Sequence, residues 1–127
     1  MIGLFIGSFN PITKAHLEIC NIVPVDKVIL VPVNNPKKDL ISIDKRIDMI
    51  KLIINDKINI DDICLNYNKF NYQVLDKLKE KYHNFKIIMG SDLLVNLKNF
   101  DYFFAEIILI NRLKAHAKRG ENFSCCF

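Results

Sequence analysis

Apolar residues recur along this chain in two rhythms, a continuous or alternating one and a helical one, and they take turns. Ile2 to Ile6 is a short apolar run, interrupted by Gly3, that reads as a buried strand. Gly7, Asn10 and Pro11 punctuate a turn, and helical character begins near Thr13 and lasts until Pro24 forbids it. Lys27 to Val33 is apolar and β-branched without alternation, as in a strand covered on both faces. A polar loop from Asn34 to Asp39 follows. Ser42 or Asp44 then caps a helix with Ile47, Met49, Ile50 and Ile54 at helical spacing. Ile58 to Leu65 alternates loosely and predicts a third strand, and Phe70 to Tyr82 predicts a second amphipathic helix. Phe85 to Met89 is a fourth strand ended by Gly90, Leu93 to Leu97 a short helix, and Ile107 to Ile110 a fifth strand. Strands alternating with helices at these lengths predict an α/β fold on a parallel sheet with right-handed crossovers. From Asn111 to Phe127 the pattern stops, and a short helix or an ordered tail is the most it predicts.

Composition narrows this only a little. A chain of 127 residues, half of them hydrophobic, is one soluble domain with enough length for a core. The net charge of +4 suits an anionic nucleotide without requiring nucleic acid. No apolar run nears the roughly 18 residues needed to span a bilayer, so no membrane partner is expected. Without a charged leader or a C-x-x-C pair, the four cysteines read as reduced thiols in a cytoplasm. His83 and His116 have no partner at ligand spacing, so no protein-held metal is expected.

The chemistry concentrates in Gly7-Ser-Phe-Asn-Pro-Ile-Thr-Lys-Ala-His16. A strand, a tight turn and a helix start, in that order, leave first-turn N–H groups unpaired at the positive end of the helix dipole, where an anion is favoured. Thr13 and His16 stand three apart on that turn and share a face. A hydroxyl and an imidazole donor both suit phosphate oxygens.

This decapeptide resembles the nucleotidyltransferase signature G-x-F-x-P-x-[HT]-x-x-H, with Gly7, Phe9, Pro11, Thr13 and His16 at its five defined positions. Its wording is most similar to the nicotinate and nicotinamide mononucleotide adenylyltransferases, while phosphopantetheine adenylyltransferases open in a similar way. The resemblance implies a Rossmann-like nucleotidyltransferase fold over residues 1–112, with 113–127 a basic tail. It also implies transfer of AMP from ATP to a pyridine mononucleotide, with Mg2+ accompanying the ATP and a homo-oligomer possible. His16, Thr13 and Lys38 would act on the phosphates, with Gly7, Ser8, Phe9 and Asn10 lining the nucleotide.

Three further stretches extend the likeness. Lys37-Lys38-Asp-Leu-Ile is similar to a K-K-x-L-I loop whose lysines reach phosphates, though a solvated lysine pair is the plainer account of such residues. Arg46 falls where the family has an arginine, and a structural ion pair explains it equally well. Gly90-Ser91-Asp92 resembles a G-x-D whose carboxylate meets a ribose, and the same residues suit a helix cap. Phe100 stands where a ring-stacking tryptophan is usual, or belongs to an aromatic core with Tyr102, Phe103 and Phe104. Arg112 completes the implied nucleotide contacts. Asn71 and Val74 replace two threonines of the family's Y-T-x-x-T. The second phosphate motif S-[ST]-T-x-x-R is absent, which predicts either a shortened form, a nucleotide-binding remnant, or half a triphosphate clamp.

Overall fold

In the computed structural model, which describes residues 1–90, 106–110 and 123–126, the strands form one six-stranded sheet in the order β3-β2-β1-β4-β5-β6. They are β1 (Ile2–Gly7), β2 (Lys27–Pro32), β3 (Ile58–Ile60), β4 (Phe85–Gly90), β5 (Glu106–Ile110) and β6 (Phe123–Cys126). Between them lie α1 (Lys14–Ile22), α2 (Ile43–Lys51) and α3 (Tyr72–Lys81). The first five strands pair in parallel, and β6 closes one edge antiparallel to β5.

The continuous apolar runs are explained by the pleat, which sends neighbours to opposite faces that are both covered. Leu4 and Ile6, Ile29 and Val31, and Ile87 and Met89 pack on one face against Val74, Leu75 and Leu78 of α3. Phe5, Val28, Leu30 and Ile88 pack on the other with Cys20 of α1 and Ile50 of α2. Gly3 belongs to this packing rather than to a break in it. A Cβ there would come within 2.7 Å of Ile88 Cδ1.

Three expectations need correction. The third strand is Ile58–Ile60 rather than Ile58 to Leu65, because Asp61 turns the chain. Its Oδ1 accepts from Ile63 N–H at 3.0 Å, and a 3-10 helix follows over Ile63–Asn66. Ser42 occupies the cap position of α2, yet its hydroxyl makes no capping hydrogen bond. The tail supplies β6, whose Cys125 opposes Ile108, so residues beyond 112 join the sheet through ladder bonds that no hydrophobic period announces. The helix expected over Leu93–Leu97, together with Ser91, Asp92, Phe100 and Arg112, lies outside the described residues.

Candidate active site

The chain lays down β1, β2 and β3 outward in one direction, then returns to place β4 on the other side of β1. That reversal opens a crevice at the carboxyl ends of β1 and β4, where ligands of open α/β sheets collect. Gly7 and Gly90 end those two strands. Their register runs from Ile2 opposite Phe85 to Phe5 opposite Ile88, and both glycines lie two steps further on.

The signature turn is built for close approach. A Cβ on Gly7 would meet the Phe9 ring at 3.2 Å. Phe9 itself holds φ at +47°, a left-handed conformation unusual for a non-glycine residue. Its ring is 2% exposed and packs edge-on against Phe5 and His16, with centroids 5.1 Å from each. Phe9 therefore supports the signature turn from beneath.

Thr13 is the N-cap of α1, and His16 takes the part usually played by a capping-box glutamate. Thr13 N–H donates to His16 Nδ1 at 3.0 Å, and the Thr13 hydroxyl lies 3.0 Å from the same nitrogen. An Nδ1 that accepts leaves the ring proton of the neutral imidazole on Nε2. The half-buried ring is held by Phe5 and Phe9 rather than sunk into the core. The two predicted donors are thus brought together, but the Thr13 hydroxyl addresses the imidazole, and Nε2–H is the donor that this arrangement orients.

Lys37 and Lys38 are exposed on a turn in which Lys37 N–H donates to Asn35 Oδ1 and Lys38 N–H to the Asn35 carbonyl. Lys38, Asn34, Ser42, Arg46 and Asn68 line a shallow cleft of about 280 Å³ behind this loop. Gly7 and His16 are not in its lining, but two lining residues bond the signature, Ile41 through Asn10 and Arg46 through the Ser8 carbonyl. Arg46 is 1% exposed and makes no ion pair with any described residue. Its N–H groups go to the carbonyls of Ile41, Ser8 and Val33 and to Asn34 Oδ1. Burial holds its pKa below the ordinary guanidinium range. Asn10 turns its Oδ1 to Ile41 N–H at 2.8 Å. Asn34 and Ile41 went unnoticed in the sequence. Asn34 could have been suspected as a polar residue directly after an apolar strand, but a backbone partner such as Ile41 leaves no sequence signal.

Residues 4–124 match the cytidylyltransferase-like family. The chain belongs to that family. A phosphopantetheine adenylyltransferase of Clostridium botulinum is 35% identical over 114 residues, covering 87% of this chain and 64% of that protein. A Borreliella burgdorferi protein named as a probable nicotinate-nucleotide adenylyltransferase is 36% identical over 114 residues, covering 79% of this chain and 58% of its own. The chain thus spans somewhat less than two thirds of the length of these curated relatives. Plasmodium falciparum nicotinic acid mononucleotide adenylyltransferase, solved in complex with APC, superposes with a TM-score of 0.62 at 26% identity, over 87% of this chain and 63% of that one. A Vibrio parahaemolyticus structure at 17% identity shares the fold, with a TM-score of 0.65 over 98% of this chain and 86% of its own. No helix among the described residues is long and apolar enough to cross a membrane.

Proposed function

We propose that this chain carries the adenylyl-transfer site of a nicotinate (or nicotinamide) mononucleotide adenylyltransferase. AMP passes from ATP to the acceptor's phosphate, forming the dinucleotide and releasing pyrophosphate. The observation that carries the reading is the His16–Thr13 pair at the start of α1, beside the carboxyl ends of β1 and β4. The acceptor phosphate is already anionic at neutral pH, so neither a general base nor a covalent enzyme intermediate is required. What the chain must supply is position and charge. His16 Nε2–H and the first-turn amides of α1 hold the triphosphate as charge grows on the leaving pyrophosphate. Lys37 and Lys38 offset the repulsion between the two reactants. Orientation of bound reactants can supply about 7–11 kcal/mol of barrier lowering, far above the roughly 0.3–1 kcal/mol of one helix dipole.

Magnesium, when bound, draws charge from the phosphate oxygens. It would arrive with the triphosphate, with few protein ligands. The Clostridium botulinum relative favours a second reading, phosphopantetheine adenylyl transfer. Incubation with ATP, magnesium and either nicotinate mononucleotide or phosphopantetheine separates the two. Dinucleotide as the product supports the first, dephospho-coenzyme A replaces it with the second, and no product from either acceptor overturns both.

A further inference from the structure

The cations and amides of the proposed site sit on two loops, residues 8–13 after β1 and 33–42 after β2. Ladder pairing between these strands ends with Gly7 opposite Pro32, and one more bond, Val33 N–H to the Gly7 carbonyl, follows at 2.9 Å. Beyond that point, side chains join the loops. Asn10 Oδ1 accepts from Ile41 N–H at 2.8 Å, while Arg46 Nε donates to the Ile41 carbonyl at 2.7 Å. Both polar backbone groups of Ile41 are therefore clamped, one from the phosphate loop and one from α2. The other end of the Arg46 fork reaches back, with Nη1 donating to the Ser8 carbonyl at 2.7 Å and the Val33 carbonyl at 2.8 Å. Nη2 donates to Asn34 Oδ1 at 2.6 Å, and Asn34 Nδ2 in turn donates to the Tyr67 carbonyl.

A guanidinium buried among neutral acceptors is a poor way to gain stability, since apolar residues of similar volume do at least as well. What it provides here is a fixed distance between two loops. From Ile41 the chain runs back three residues to Lys38 and four to Lys37. We propose, on the adenylyl-transfer reading, that Asn10 and Arg46 are positioning residues. They latch the Lys37–Lys38 loop to the phosphate loop, so that both lysines and the His16 donor keep one relative geometry around a nucleoside triphosphate.

The test joins loop dynamics to a double-mutant cycle. Asn10 is exposed, so Asn10→Ala leaves the core intact. Hydrogen–deuterium exchange of residues 34–42 is expected to quicken by up to about tenfold in this variant, the scale of one hydrogen bond, with β1 and β2 protected as before. ATP affinity by calorimetry, with magnesium, is expected to fall by a similar factor. Once Lys37 and Lys38 are both alanine, Asn10→Ala should lower it by less than about twofold more, because the latch acts through them. Arg46→Lys, which keeps the charge but loses the fork, should reproduce the faster exchange. Unchanged exchange in Asn10→Ala, or losses that simply add, would overturn the latch. A wild-type chain that binds no ATP would overturn the adenylyl-transfer reading instead, and the exchange experiment would still decide the latch.

Discussion

His16 and Thr13 differ in what their removal takes away. His16→Ala deletes the oriented Nε2–H donor and is expected to lower turnover by about 10²–10³, as for loss of an oxyanion donor. Thr13→Val keeps the backbone N–H that bonds Nδ1 and loses only the hydroxyl beside it, so its cost should stay within about tenfold. Steady-state dinucleotide formation measures both. Equal losses would mean that the hydroxyl meets phosphate directly. The signature was legible at this scale because its residue types answer local demands of turn and helix start. The direction of each side chain was not. The Phe9 ring packs beneath Gly7, and Arg46 donates to carbonyls of both loops.

At the level of elements, the shortened β3 turns on Asp61, which is 4% exposed. Its Oδ2 accepts from the Tyr82 hydroxyl at 2.7 Å and from Lys81 Nζ at 2.9 Å. Lys81 is largely in water, so that pair is worth little, and the half-buried Tyr82 hydroxyl carries the larger share. Burial first, then the bond to Asp61, pushes the Tyr82 hydroxyl well above its ordinary pKa. Asp61→Ala strands that hydroxyl and should destabilise the fold by about 1–3 kcal/mol in urea unfolding. In the Asp61→Ala background, Tyr82→Phe should be close to neutral, since the group left without a partner is then removed. A period-based reading continued this strand because Ile63 and Leu65 alternate with their neighbours, although one residue out of step with Ile58 and Ile60. It had no means of weighing one carboxylate that bonds the chain's own next turn.

For the molecule as a whole, stability should depend on alkaline pH. Burial pushes the Cys20 and Cys64 thiols from their ordinary 9.0 up to about 12, one on each face of the sheet. Above pH 9 the unfolded chain releases thiol protons that the folded chain retains, so the folded state loses ground. Below pH 9 this contribution is fully present. Unfolding free energy is expected to be flat in this respect up to about pH 9 and to fall as pH climbs toward 12, with a gentler slope in Cys64→Ala. Urea titrations at stepped pH check the slope. An unchanged slope in the variant would show that Cys64 ionises as readily folded as unfolded.

The chain's own pattern was enough to indicate a parallel α/β unit with a tight turn between its first strand and first helix. Hydrophobic period, glycine and proline punctuation and helix starts are properties of neighbouring residues, and they hold before any long-range contact forms. Which strand lies beside β1 across the crevice, that β6 pairs antiparallel with β5, and that Arg46 and Asn10 join two loops were decided only in three dimensions. Each of those rests on hydrogen bonds to backbone carbonyls and amides, which nearly every residue presents alike, so their partners are chosen by proximity and leave no mark in the order of the side chains.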